Sequence, residues 1–194
     1  MRKDLGVLTA VFPMPVLMVA SYDEEGTPDV MNAAWGMICD YDKVALFLAE
    51  DHQTTRNILN RKAFTVALAD KAHVEEADFA GIVSAATMPD KFARSGLKET
   101  KSTFVDAPVI EEFPVCMECE LAEVIDTPNM YAVVGKIVNV NAKDDVLDDN
   151  GKIDITKMQV LTFDPFKAGY YVTGPQAGEA WRSGKVLMEK EDKE

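Results

Sequence analysis

The stretch from residue 32 to residue 57 reads NAAWGMICDYDKVALFLAEDHQTTRN, and it determines how the rest of the chain is interpreted. It begins with an amide, two small residues and an aromatic ring, Asn32-Ala33-Ala34-Trp35. The apolar run at 44–49 predicts a buried, central strand, because both of its faces are apolar. The polar segment His52-Gln53-Thr54-Thr55-Arg56-Asn57 then predicts the start of a helix. The stretch therefore contains both a flat aromatic residue and a helix N-terminus with hydroxyl and amide donors.

Each part of this stretch favours one feature of a ligand, and each also has an ordinary structural explanation. Helix starts carry unpaired N–H groups and partial positive charge, so they bind phosphate, and Thr54, Thr55 and Asn57 would add side-chain donors. Small residues at 32–35 would let a flat ring approach the backbone of a strand. Taken alone, the first feature is more often a helix capped by Thr54, and the second a strand with one buried Trp. Together they favour a planar ring with a phosphate tail.

The flanking sequence predicts a mainly β domain. Residues 15–22 and 30–38 read as a hairpin around a Gly-containing turn. Further strands are predicted at residues 63–69, 115–124, 130–140 and 160–163, with a bulge at Gly135. The segment 70–112 predicts short helices and a long loop, with no clear strand. About six strands, mostly neighbours in sequence, indicate an antiparallel barrel with short helical insertions.

Composition narrows the classes of function. The chain has 194 residues and a formal net charge of −13, which disfavours nucleic acid and anionic membrane as partners. No apolar run reaches the roughly 18 residues of a membrane span. We therefore expect a cytoplasmic protein with one domain at 1–187 and a charged C-terminal tail at 188–194 that frays.

The cysteines and histidines give little support to metal or nucleophile chemistry. Cys116 and Cys119 form a Cys-x-x-Cys, but in a strand residues three apart point to opposite faces. His52 and His73 are the only histidines, and the sequence contains neither a P-loop nor GxGxxG. The sequence predicts no catalytic side chain and no metal site.

Several short sequence markers occur in order along the chain. They are Pro13-x-Pro15-Val16, Asp23…Gly26, Asn32-Ala33-Ala34-Trp35, Thr54-x-x-Asn57-Ile58, Phe64-Thr65-Val66-Ala67-Leu68, Asp90-Lys91-Phe92…Gly96-Leu97, Ala107-Pro108-Val109-Ile110, Cys119-x-Leu121, Val134-Gly135-Lys136-Ile137 and Tyr170-Tyr171…Gly174. In number and order they resemble the flavin reductase-like family, the FMN-binding split-barrel group that includes flavoredoxin and ferric reductases. The resemblance covers most of the chain, from Pro15 to Lys185.

The resemblance implies an antiparallel, Greek-key split β-barrel that binds FMN without a covalent link and forms a homodimer, with the flavin near the interface. The residues it assigns to FMN are Asn32, Ala33, Ala34 and Trp35 along the isoalloxazine, Gln53, Thr54, Thr55 and Asn57 at the phosphate, Lys91 at the flavin or its phosphate, and Phe163 near the ring. The chain departs from the family at Met130, where a His is often found, and at Ala67, where the family pattern has Asn.

Three functions are consistent with this resemblance. The first is an oxidoreductase that passes electrons through bound flavin from NADH or NADPH to a flavin, a ferric chelate or another acceptor. The alternative is a flavoredoxin-like FMN electron carrier between redox proteins. The third is a non-catalytic flavin-binding protein.

Overall fold

The computed structural model describes residues 1–188 and is mainly β. Its strands are β1 (Met14–Pro15), β2 (Leu17–Tyr22), β3 (Pro28–Ala33), β4 (Gly36–Asp40), β5 (Lys43–Leu46), β6 (Ala63–Leu68), β7 (Glu99–Lys101), β8 (Pro108–Ile110), β9 (Val115–Thr127), β10 (Met130–Ala142), β11 (Leu161–Asp164) and β12 (Gly169–Val172). Its helices are α1 (Gln53–Arg61), α2 (Val74–Ile82), α3 (Lys91–Ser95), α4 (Ile155–Met158) and α5 (Lys185–Met188). Within residues 1–188, no helix is long and apolar enough to cross a membrane. The predicted tail lies outside the described residues except for Met188.

The main sheet is rolled into a barrel. Seven antiparallel strands follow the order β3-β2-β6-β9-β10-β5-β4, so β3 and β4 form its two edges. Only Ala34 and Trp35 join these edges, and three Cα steps span at most about 11 Å. A Cβ on Gly36 of β4 would lie 2.6 Å from Leu17 Cδ1 of β2, the residue that pairs with Ala33 of β3, so β4 approaches the other side of the sheet closely. The predicted antiparallel split barrel is confirmed, with seven strands in its main sheet.

Two apolar cores lie on the two faces of this sheet. The inner core contains Leu17, Val19, Ala33, Val44, Leu46, Leu48, Ile58, Phe64, Val66, Cys119 and Val133. The outer core contains Val16, Met18, Ala20, Val30, Ala67, Ala69, Ala77, Ala80, Leu97, Ile110, Phe113, Cys116 and Leu161. Helix α1 contributes Ile58 to the inner core, whereas α2 contributes to the outer core. The two helices therefore lie on different sides of the barrel wall.

The structure corrects three predictions about the strands. The predicted strand 30–38 is two strands, because the chain leaves one edge of the barrel at Ala33 and enters the other at Gly36. The strand predicted as central is β5, which lies second from the edge of the sheet, between β10 and the exposed edge strand β4. Its residues Val44 and Leu46 belong to the inner core. The segment 70–112 contains β7 and β8, a short pair whose few residues give no periodic signal.

The predicted irregularity at Gly135 is confirmed. The pairing between β9 and β10 shifts register between Val134 and Gly135. A Cβ on Gly135 would lie 2.3 Å from Phe64 Cζ, so the inner core fills the space that any larger residue would need. The glycine lets the Phe64 ring pack directly against the backbone of β10.

Candidate functional site

A cavity opens between the start of α1 and the end of α2, beside the edge strand β3. We call it the α1 cavity, and its volume is about 160 Å³. Its lining residues are Asp29, Met31, His52, Gln53, Thr54, Ala80, Gly81, Ile82, Val83, Ser84, Ala85 and Lys91. Three of the predicted ligand-binding residues, Gln53, Thr54 and Lys91, thus come together from two separate parts of the chain.

Buried charges form one wall of the α1 cavity. Lys91 begins α3, is 2% exposed, and places Nζ 3.6 Å from Asp29 Oδ1. The other oxygen of Asp29 accepts a 2.6 Å hydrogen bond from Thr54 Oγ1. Burial lowers the pKa of Lys91, and the nearby Asp29 carboxylate opposes that shift. The ammonium therefore lies in a dehydrated position with one neighbouring anion.

Several polar atoms around this cavity have unused hydrogen-bonding capacity. Lys91 carries three N–H donors, and its contact with Asp29 is longer than a normal hydrogen bond. Asp29 Oδ1 is buried and has no hydrogen-bond partner among residues 1–188. An unmet buried polar group costs about 1–3 kcal/mol, so these atoms favour a ligand that brings both donors and acceptors.

The N-terminus of α1 adds backbone donors. The extended residue His52 precedes the helix and makes no side-chain capping bond, and the first turn contains no acidic residue. The backbone bond from Arg56 N to His52 O is the first of the helix, which leaves the N–H groups of residues 53–55 without an intrahelical acceptor. The prediction that Thr54 caps this helix is wrong, because its hydroxyl donates to Asp29 across the cavity.

Two other predicted phosphate residues point away from the cavity wall. Thr55 Oγ1 donates to Ala49 O at 2.9 Å, back toward the preceding loop. Asn57 lies one turn into the helix, where its Oδ1 accepts from Gln53 Nε2 at 2.8 Å. Asn57 therefore orients Gln53, a residue of the cavity wall. The direct roles of Thr55 and Asn57 in ligand binding stay predictions.

A second, apolar cleft of about 440 Å³ lies beside the link between β3 and β4. We call it the Trp35 cleft, and it is lined by Thr9, Val11, Pro13, Met14, Pro15, Ala34, Trp35, Gly36, Met37 and Phe47. The Trp35 side chain is 58% exposed, so the ordinary explanation of a buried Trp does not hold. The link that closes the barrel thus presents a flat aromatic ring at the surface.

Of the remaining predicted ring residues, Asn32 and Ala33 lie on opposite faces of β3, and Phe163 lies on β11. Ala33 is part of the inner core, so its side chain faces the barrel interior. Asn32 lies on the outer side, where its amide donates to Ala77 O of α2 and to the Tyr170 hydroxyl. Phe163 packs with its ring centroid 6.0 Å from that of Tyr170. Tyr170 therefore connects Asn32 with Phe163.

Met130 and the Cys-x-x-Cys lie apart from both openings. Met130 is at the tip of the β9–β10 hairpin opposite Thr127, outside the lining of the α1 cavity and of the Trp35 cleft. Cys116 belongs to the outer core and Cys119 to the inner core, as the strand argument predicts. Burial raises the pKa of each thiol to about 12, so neither is activated as a nucleophile.

Sequence reasoning missed the residues that complete these surfaces. Asp29 could have been noticed as a carboxylate beside the buried Val30 in a predicted strand. Gly81 gave no signal, although a Cβ there would lie 3.2 Å from Asn32 Cβ, and this close approach brings α2 against β3. Tyr170 was noted only as a family marker in the sequence, and nothing in the sequence indicated a role for Asp78.

Comparisons with known proteins agree with this architecture. The model of the flavin reductase like domain matches residues 9–162. The structure of the flavoredoxin of Desulfovibrio vulgaris (Miyazaki F) is 35% identical in sequence, with a TM-score of 0.90 over 95% of this chain and 100% of that chain. The structure of flavoredoxin from Methanosarcina acetivorans shares the fold, at 24% identity and a TM-score of 0.86 over 96% of this chain and 100% of that chain.

A curated relative of unassigned function is also similar to this chain. An uncharacterized protein of Aeropyrum pernix is 27% identical over 146 residues, which are 74% of this chain and 56% of that protein. The chain thus spans little more than half the length of that relative. The domain match over residues 9–162, together with the flavoredoxin match, shows that this chain belongs to the flavin reductase-like family.

Proposed function

We propose that this protein binds FMN non-covalently and acts as an oxidoreductase, passing electrons from NADH or NADPH to a second flavin, a ferric chelate or another acceptor. When bound, FMN would supply the redox chemistry, because it accepts electrons from one partner and releases them to another. The observation that carries the proposal is Lys91, a buried ammonium with one neighbouring anion beside the N-terminus of α1. Such a position favours a phosphate.

The chemistry of the α1 cavity fits the polar part of FMN. Lys91, Gln53 and the free N–H groups of α1 would hold the phosphate. Thr54 would contribute its backbone N–H, because its hydroxyl proton is donated to Asp29. Asp29 Oδ1, a buried acceptor without a donor, suits a hydroxyl of the ribityl chain. The cavity thus offers donors for an anion and an acceptor for a polyol.

The surfaces around the link of the barrel fit the isoalloxazine. Ala34 and Trp35 offer an apolar, flat surface, and the backbone of Ala33 lies at the free edge of the sheet. Asn32 and Phe163 lie on the outer side of the same strand region. We propose that these residues position the ring and exclude water, and that no side chain needs to act as acid or base.

We also propose a homodimer in which a second copy covers the Trp35 cleft. The edge strand β4 is almost fully exposed and carries Met37 and Ile38, 63% and 56% exposed, next to Trp35. Exposed apolar edge strands promote association, and a covering subunit would remove this liability. Light scattering after gel filtration should give a dimer for the wild type and a monomer for Ile38→Glu. A monomeric wild type would contradict this proposal.

Two measurements test the proposed function. The purified protein, or the protein reconstituted with FMN, should show the absorbance bands of a bound flavin. The reconstituted protein should then oxidise NADH or NADPH when free flavin or ferric citrate is present. A protein with neither a flavin spectrum nor an FMN-induced rise in melting temperature would contradict the proposal.

An electron carrier is the second candidate, and an acidic surface favours it. Glu50 and Asp126, from the segment before α1 and from β9, both contribute to raising the pKa of Tyr131, after the larger effect of burial. Both carboxylates are exposed and lie close enough to Tyr131, near the start of β10, to act on it, and such an acidic surface suits a basic redox protein. Bound FMN that is reduced by a redox protein, with negligible oxidation of NADH or NADPH, would support the carrier over the first candidate.

A further inference from the structure

The amide of Asn32 is held by a hydrogen-bond network that joins β3, α2 and β12. Asn32 Nδ2 donates to Ala77 O at 3.0 Å and to the Tyr170 hydroxyl at 3.3 Å. The Tyr170 hydroxyl in turn donates to Asp78 Oδ1 at 2.9 Å. Gly81 lets α2 approach Asn32 closely enough for these bonds, since its Cβ position lies only 3.2 Å from Asn32 Cβ.

This network fixes which way the amide faces. Both N–H groups of Nδ2 have acceptors, and the Ala77 carbonyl can only accept. A flipped amide would set Asn32 Oδ1 against the Ala77 carbonyl oxygen, so the observed orientation is strongly favoured. Because the Tyr170 proton is committed to Asp78, the tyrosine oxygen meets Asn32 as an acceptor.

The opposite side of the amide has no partner. Asn32 Oδ1 accepts no hydrogen bond from residues 1–188, and it is absent from the buried side-chain atoms that lack a partner. The oxygen is therefore not fully buried. Burial, followed by the hydrogen bond to Asp78, raises the pKa of Tyr170 to about 12, so the hydroxyl keeps its proton at neutral pH. The network thus presents one oriented acceptor beside β3.

We propose that Asp78 and Tyr170 are positioning residues that hold Asn32 Oδ1 as the acceptor for a ring N–H of the bound ligand. This inference rests on the proposed function, in which Asn32 lies along the isoalloxazine. The pyrimidine edge of that ring presents one N–H, N3–H, between two carbonyl groups. A rigid amide oxygen recognises this edge, and it discriminates against a ring in which N3 carries a methyl group.

The test compares the affinity of the protein for FMN and for 3-methyl-FMN by quenching of flavin fluorescence. The wild type should bind FMN about tenfold more tightly, the change expected when a hydrogen bond cannot form and its acceptor is left unpaired. Asn32→Ala should abolish this preference, and Tyr170→Phe should reduce it several-fold. Asp78→Ala should also reduce the preference for FMN. Asp78→Asn keeps an acceptor for the Tyr170 hydroxyl, so this variant should show a preference close to that of the wild type.

Tyr171→Phe is the matched control. It removes a hydroxyl from the neighbouring residue of β12, which is 50% exposed, and should leave the preference unchanged. Equal wild-type affinity for the two flavins, or a full preference in Tyr170→Phe, overturns the inference while leaving the proposed function intact. Failure of the wild type to bind FMN overturns both. The ratio of FMN to riboflavin affinity should stay constant across these variants, since it reports the phosphate end of the site.

Discussion

Replacing Asp29 by Asn should strengthen the recognition of phosphate. In the wild type, the Asp29 carboxylate neutralises Lys91 across 3.6 Å and also accepts from Thr54. An asparagine keeps the size and an acceptor for the Thr54 hydroxyl but removes the negative charge. We therefore expect the ratio of FMN affinity to riboflavin affinity to rise in Asp29→Asn.

The size of the effect follows from the distance between the charges. At 3.6 Å and an effective dielectric constant of about 20, the attraction between Asp29 and Lys91 is about 5 kcal/mol. A phosphate that shares the ammonium with Asp29 would lie about twice as far from the carboxylate. The carboxylate would then oppose each unit of negative charge on the phosphate by about 2 kcal/mol, so the affinity ratio should rise by roughly 30-fold or more.

The same substitution has an electrostatic cost in the ligand-free protein. Asp29 opposes the lowering of the Lys91 pKa by burial, so its removal lowers that pKa further. The gain in FMN affinity should therefore shrink as the pH rises toward the pKa of this lysine. The ligand-free variant should also melt at a lower temperature than the wild type, and FMN should raise its melting temperature by more.

Fluorescence titrations with FMN and with riboflavin, at neutral pH, measure this ratio. Asp106→Asn is the matched control, because it removes the same charge from an ion pair with Arg61 and Lys101 that lies outside the α1 cavity. The control should leave the ratio near its wild-type value. An unchanged or smaller ratio in Asp29→Asn would refute the placement of the phosphate beside Lys91.

Two further predictions concern the barrel itself. With a thiol reagent at pH 8, the exposed Cys39 should react quickly. Cys116 and Cys119, whose pKa burial raises to about 12, should react only after denaturation. Rapid reaction of all three thiols in the native protein would contradict the burial of these two cysteines. Gly135→Ala should lower the free energy of unfolding, measured by denaturant titration, by about 1–3 kcal/mol or more, since the new methyl group overlaps the inner core. Gly174→Ala is the control: its methyl group meets no atom within 4 Å and should change the free energy of unfolding little. Equal stability of the two variants would argue against the close packing at β10.

The sequence was sufficient for the features that depend on local pattern. Alternating and continuous apolar runs predicted most strands of the barrel, and Gly135 predicted the irregularity of β10. The polar segment after residue 51 predicted α1 to within a residue of its observed start at Gln53. These features are encoded by neighbouring residues, so they can be inferred without knowing the tertiary structure.

Features that depend on contacts between distant segments could not be predicted in this way. Thr54 looks like a capping residue in the sequence, yet in the structure its hydroxyl bonds to Asp29, which is 25 residues away. Ala34 and Trp35 read as part of one strand, because nothing local shows that the barrel closes there. The contact between Asn32 and Tyr170 spans 138 residues, which is why the network around Asn32 was not anticipated.

A crystal structure of the protein with FMN would test the central claim most directly. We predict that the phosphate lies in the α1 cavity, with an oxygen about 3 Å from Lys91 Nζ and others facing the N–H groups at the start of α1. The isoalloxazine should then extend along β3 toward Trp35. A phosphate bound away from Lys91 and from the N-terminus of α1 would contradict the account.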